Sequence, residues 1–151
     1  MMAEFQALKR AECLQLLASH SFGRLAVSVG EGAPTIRPIN YLFDEPSQSI
    51  VFRPAYGSKL QGLLTSAKAA FEIDGIDPEQ HTGWSVIVVG ATEEIVNPFD
   101  LRRLEGSELE TWAPGPKPHW IGLRVWSVSG RRIVNPDHVV DPDNRASMRM
   151  G

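Results

Sequence analysis

The sequence predicts a mainly β domain of the α+β kind: an antiparallel barrel or sandwich carrying a few short helices. Three observations predict it. Six short runs rich in β-branched and aromatic residues recur along the chain, each bounded by turn-forming residues. The strongest, Trp84 to Val89 and on toward Ile95, is apolar on both faces, as befits a strand inside a closed or covered sheet. Strands and helices do not alternate along the chain, which disfavours a doubly wound parallel sheet.

Each element has its own signal. Leu8, Cys13, Leu14, Leu16 and Leu17 fall at helical spacing, so a first helix is expected from Leu8 to Ser19. Arg24 to Val29 reads as a strand, and Gly30-Glu31-Gly32 as a hairpin turn. Its partner is Thr35 to Phe43, where Pro38 lacks an N–H and demands an edge or bulged position. Glu45-Pro46-Ser47 makes a turn before a third strand, Ser49 to Arg53. Gly57-Ser58-Lys59-Leu60 opens a second helix, with Leu60, Leu63 and Leu64 on one face. Ala69 to Ile73 is the fourth strand, Asp74 to Gly83 a polar loop, and Trp84 begins the fifth. Asn97 before Pro98 caps a short third helix that reaches about Glu105. Trp112 to Pro118 holds three prolines and a glycine and is irregular. Trp120 to Val128 is the last strand, closed by Gly130-Arg131-Arg132-Ile133. One domain over residues 1–134 is expected, followed by a polar arm or frayed tail over 135–151.

Composition narrows the function classes. The 151 residues suffice for one buried core, and 42% hydrophobic with 22% charged residues is a globular balance. A net charge of -3 gives no general pull toward nucleic acid or an anionic membrane. Cys13 is the single cysteine, so no internal disulfide can form, which suits a reducing compartment. The N-terminal residues lack an apolar signal core, and no apolar run is long enough to cross a bilayer. A cytoplasmic protein with no nucleic-acid or membrane partner is the expectation.

Four stretches could carry chemistry. In Arg53-Pro54-Ala55-Tyr56-Gly57-Ser58-Lys59 a strand ends in a cation and a helix begins with Ser and Lys. Free amides at a helix start, the Ser58 hydroxyl and the charges of Arg53 and Lys59 would together hold a phosphate. The same pattern also suits a plain helix cap with solvated cations. Pro38-Ile39-Asn40-Tyr41 would leave backbone groups free beside a ligand, or is an ordinary edge strand. Trp84 and Ser85 could wall a planar ligand, or Trp84 belongs to the core. Alternation places Trp120, Gly122 and Arg124 on one face, as a ligand surface or with Arg124 stacked on Trp120. His20, His81, His119 and His138 are scattered without metal-ligand spacing, so no metal is expected. His81 lies nearest Trp84, and no acid–base pair or catalytic residue is assigned.

Taken together, these stretches resemble the pyridoxamine 5'-phosphate oxidase-like family of FMN-binding split barrels, in its small actinobacterial form. The matching pieces are Glu12-Cys13-Leu14, Gly23-Arg24-Leu25-Ala26, Pro38-Ile39-Asn40-Tyr41 and Val51-Phe52-Arg53 with Gly57-Ser58-Lys59-Leu60. Gly83-Trp84-Ser85-Val86 with Gly90, and Ser129-Gly130-Arg131-Arg132-Ile133, complete the set. The resemblance implies a six-stranded split barrel, a homodimer with FMN at its seam, and flavin-dependent oxidation or reduction of a small molecule. It implies that Arg53, Ser58 and Lys59 hold the FMN phosphate. Pro38, Ile39, Asn40 and Tyr41 would follow the isoalloxazine edge, and Trp84 and Ser85 would lie near the phosphate and ribityl chain. Trp120 and Arg124 would reach across from the second subunit. The full oxidase's substrate-binding ending is not found, so pyridoxamine phosphate oxidation is not assigned. Two alternatives stay open: a non-catalytic flavin or haem carrier or sensor, and a reductase using the deazaflavin F420.

Overall fold

The computed structural model describes residues 3–28, 32–55, 68–107 and 109–136. Strand β1 (Glu4–Ala7) precedes helix α1 (Arg10–Ser19). Then come β2 (Phe22–Val27), β3 (Thr35–Asn40), β4 (Leu42–Asp44), β5 (Ser49–Phe52), β6 (Lys68–Asp77) and β7 (Thr82–Glu94). Helix α2 (Pro98–Glu105), β8 (Ile121–Arg124) and β9 (Ser127–Val134) follow. The strands pair in the order β3-β2-β6-β7-β8-β5-β4, with β9 joining β7 to β1, and every pairing is antiparallel. The sheet curls into a split barrel.

The curl is set on β7. Its first half pairs with β9 from Gly83 to Val89, and its end pairs with β8 from Thr92 to Glu94. Between them lies Gly90, where a Cβ would stand 1.8 Å from the Arg124 carbonyl oxygen. Only a residue without a side chain lets β7 pass the β8–β9 link so closely.

Alternation buries one sheet face. Leu25, Val27, Phe71, Ile73, Val86 and Val88 point inward and meet Ile50, Phe52 and Leu123. Helix α1 closes this core with Cys13 and Leu17, one helical turn apart. Tyr41 is 2% exposed, and its hydroxyl donates to the Leu17 carbonyl at 2.6 Å. A second cluster of Val51, Leu104 and Trp120 lies under α2. That helix starts as expected: the Asn97 side chain accepts from the Phe99 amide, and Pro98 takes the first position.

The structure departs from the sequence expectation at four points. Nine strands occur among the described residues, not six. The expected Thr35–Phe43 strand breaks at Tyr41, whose amide turns to the Ser21 carbonyl while its ring enters the core. The expected polar loop from Asp74 is mostly strand: β6 runs to Asp77, which caps the Glu79 and Gln80 amides, and His81 completes the turn at φ 53. The last strand is really two, because Val125 and Trp126 send their amides to Gln48 and Val89 and divide β8 from β9. Among the described residues Pro38 does sit on an edge strand, paired across Arg24 of β2. The expected Gly30-Glu31 turn, the helix from Gly57 through Leu64, and the tail beyond Pro136 lie outside the described residues.

Candidate functional site around Arg53 and Asn40

β5 ends on Phe52, which the core holds, so Arg53 is the first side chain free to leave the barrel wall. Its guanidinium lies 4.4 Å over the ring of Trp120, which is 5% exposed. Nη2 donates to the Lys117 carbonyl. Nε is buried and has no hydrogen-bond partner among the described residues. A buried donor of a charged group left unpaired costs about 1–3 kcal/mol or more, so this position calls for an acceptor.

The irregular segment before Trp120 joins this cation to the edge strand. At one end the Trp112 amide donates to Asn40 Oδ1 at 3.0 Å. At the other the Lys117 carbonyl takes Arg53. Between them the Lys117 ammonium folds back onto the Ala113 and Gly115 carbonyls. The Trp112 ring stacks on Phe22 of β2, with centroids 5.2 Å apart and planes 17° apart.

Register orders the outer face of the sheet. Pro38, Arg24, Glu72, Ile87 and Ser129 form one row across five strands. Asn40 lies opposite Phe22, and Asp74, Ser85 and Arg131 line up on the other side. Arg24 Nη1 reaches Asp74 at 3.1 Å and Glu72 at 3.6 Å. Desolvation, with the Asp74 carboxylate beside it, pushes the Glu72 carboxyl above its ordinary pKa despite Arg24. Exposed Ile36, Ile87 and Val89 add apolar area to this face.

The anticipated site residues divide accordingly. Pro38, Asn40 and Ser85 lie on the outer face. Ile39 points inward against the core, and the Tyr41 side chain is wholly internal. Trp84 and Ser85 are neighbours on β7 and so face opposite ways. Trp84 packs 4.9 Å from His20 and lies flat on Gly75, where a Cβ would come within 2.5 Å of the indole. The alternation holds, with Ile121 and Leu123 facing the main core and Trp120 on the side of Gly122 and Val51, but the cation over the Trp120 ring is Arg53, not Arg124. Arg124 is exposed and 3.7 Å from Glu93. Ser58 and Lys59 lie outside the described residues. Phe22, Trp112 and Lys117 escaped the sequence reading; a tryptophan beside three prolines was the only local signal.

Two other hollows differ in character. A groove of about 530 Å³ at the β6–β7 hairpin is lined by Trp84, Thr82, Arg132 and Asn135, among others, and includes none of the residues around Arg53. A cleft of about 190 Å³ beside α2 holds Asp44 and Arg103. Burial alone would raise the Asp44 carboxyl, but hydrogen bonds from Arg103 (2.7 and 3.2 Å) and Ser47 (2.5 Å) outweigh it and hold the pKa low. That pair fastens α2 to β4. Among the described residues no group of three His, Cys, Asp or Glu could hold a metal ion, and no helix is long and apolar enough to cross a membrane.

Comparison with known proteins agrees with the fold. The family model described as pyridoxamine 5'-phosphate oxidase matches residues 9–132. The uncharacterised protein Rv0080 of Mycobacterium tuberculosis is 32% identical over 136 residues, covering 87% of each chain. The FAD binding protein from Mycobacterium smegmatis superposes with a TM-score of 0.72 at 32% identity, over 84% of this chain and 97% of its own. A conserved protein of unknown function from Corynebacterium diphtheriae gives 0.71 at 27% identity, over 86% and 98%. The extent of the family match and the shared split barrel lead to one conclusion: this chain belongs to the pyridoxamine 5'-phosphate oxidase family.

Proposed function

We propose that the protein binds a phosphorylated flavin, FMN, at the seam between two copies of itself and serves as a flavin-dependent oxidoreductase for a small molecule. The observation that carries this reading is Arg53: a cation held over the Trp120 ring, with a buried Nε that has no acceptor among the described residues. A phosphate oxygen is the acceptor such a donor fits. The family match and a relative that is an FAD binding protein support the same chemistry. FMN and FAD share the ring system and the first phosphate, so Arg53 serves either.

Arg53, together with Ser58 and Lys59, would hold the phosphate. β3 is an edge strand, so backbone groups of Pro38 to Asn40 on the side away from β2 are available to the polar edge of a ring. Ser85 and Arg131 stand on the outer face, where a second copy would meet them. The apolar patch of Ile36, Ile87 and Val89 supports that pairing of copies. When bound, the flavin supplies hydride or electron transfer, and the chain supplies orientation and charge.

The test is to purify the protein from its own host, release any ligand and weigh it by mass spectrometry, then titrate the apoprotein with FMN and FAD. A flavin mass and saturable yellow binding are expected. A colourless protein that takes up neither flavin would overturn the reading. Oxidation of reduced nicotinamide with an added electron acceptor would separate turnover from carriage, and light scattering should give a particle of two chains.

A further inference from the structure

We propose that Trp112 and Phe22 form a prebuilt stacking wall for the reaction partner of the site, and that this partner is a planar, uncharged aromatic ring such as a quinone. This rests on the flavin reading above and deepens it by naming a substrate class.

Trp112 is 68% exposed and Phe22 is 37% exposed, yet the two rings lie nearly parallel at 5.2 Å. An indole left this open is a strong anchor for another ring, because aromatic area is a large apolar payload with a preferred stacking geometry. The wall is rigid. The Trp112 amide is fixed to Asn40, and the segment beyond it is stiffened by Pro114, Pro116 and Pro118. The Lys117 ammonium clasps the Ala113 and Gly115 carbonyls. A ring that arrives here meets a surface already ordered, so little entropy is lost in binding.

Position and charge narrow the ligand. The segment runs from Asn40 on the edge strand to Arg53 at the phosphate position, so Trp112 stands beside the line along which the cofactor would lie. The cations around the wall have other partners: two carbonyls hold the Lys117 ammonium, Asp74 holds Arg24 on the outer face of β2 beside Phe22, and Arg53 is the residue given to the flavin phosphate. What Trp112 and Phe22 present is flat carbon surface, which favours an uncharged ring over a carboxylate or phosphate.

The experiment uses the full chain, loaded with flavin, and 2-methyl-1,4-naphthoquinone as probe. Trp112→Ala, Trp112→Phe and the parent protein are compared for flavin content, particle size and quinone affinity by equilibrium dialysis with no reductant present. On the scale of one aromatic stack, Trp112→Ala should weaken quinone binding about 3- to 10-fold, with Trp112→Phe restoring most of it. Flavin content and particle size should stay unchanged. Unaltered quinone affinity in Trp112→Ala would overturn the proposal. Loss of flavin or dissociation into single chains would also overturn it, by assigning the ring to the cofactor or to the contact between copies. Should the parent protein take no flavin, the flavin reading fails separately. The same dialysis on the flavin-free protein then decides the wall: an affinity that drops in Trp112→Ala upholds it, and absent or unaltered binding overturns it.

Discussion

The guanidinium carbon of Arg53 stands 4.4 Å from the centre of the Trp120 ring, and the two residues come from segments far apart in sequence. Trp120 belongs to the cluster under α2, so the cation is mounted on a packed surface. Arg53→Ala should therefore remove a charge-assisted hydrogen bond to phosphate and weaken flavin binding by about 1–3 kcal/mol. Lys59→Ala should cost a similar amount. Arg53→Lys should recover little, since an ammonium cannot lie flat on the ring and offer a donor sideways. Isothermal titration with FMN measures all three, and unchanged affinity would put the phosphate elsewhere.

Trp120→Ala separates support from binding. It removes a buried aromatic ring, so thermal stability should fall by about 3–5 kcal/mol. Trp120→Phe keeps a ring under Arg53 and should hold flavin affinity closer to the parent. Urea unfolding and flavin titration, run side by side, check the two effects.

Tyr41→Phe tests how α1 is held on the barrel. The Leu17 carbonyl lies in the last turn of α1, where helix carbonyls lack intrahelical partners, and the Tyr41 hydroxyl satisfies it at 2.6 Å. Deleting the hydroxyl leaves a buried acceptor unpaired, so a loss of about 1–2 kcal/mol is expected. Burial also raises the Tyr41 pKa above its ordinary value, so its phenolate should be absent from an alkaline absorbance titration of the native protein until unfolding.

The barrel class, the edge position of Pro38 and the Asn97 cap could be read from sequence because each rests on local chemistry. What escaped was the part of the fold where local chemistry misleads. The residues of β1, Glu4 to Ala7, are all exposed and show no alternation, so the strand exists only through its register with β9. The end of β6 carries Asp74 and Asp77 because it projects past the core, and a polar strand there looks like a loop. At the site, Arg53 was legible as a cation at a strand end. Trp120 was legible as a candidate too, but its pairing with Arg53 was not, because no spacing rule links residues across such a separation and the local alternation pointed to Arg124. Trp84 and Ser85, both expected near the phosphate and ribityl chain, are consecutive residues of β7 and face opposite sides.

Asp44 and Arg103 give an acid-dependent stability. The Asp44 carboxyl is held below its ordinary value of 3.8 in the folded chain. The contribution is present above that value and is lost as pH falls through the lower folded pKa. Arg103→Ala would leave a buried carboxylate short of its partner. Because Arg103 itself is partly exposed, the loss at pH 7 is expected to be smaller than for a fully buried pair. The difference from the parent should shrink as the pH falls below 3.8, as followed by urea unfolding.

Glu72 carries the opposite sign. Its carboxyl is raised above 4.5, first by desolvation and then by Asp74, and Oε1 is buried with no hydrogen-bond partner among the described residues. A raised carboxyl favours the folded state most when protonated. The stabilisation is complete below 4.5 and is lost as pH rises through the folded value. Glu72→Gln keeps the shape, removes one of two neighbouring negative charges and leaves Arg24 to Asp74. The variant should be more stable than the parent at pH 7 and differ little from it at pH 4, and thermal unfolding at the two pH values measures this. If copies pair through this face, the substitution should also tighten the pair at neutral pH, because packing the face together desolvates the carboxylates further. Sedimentation across the same pH range would show a dissociation constant that rises with pH in the parent and stays flatter in Glu72→Gln.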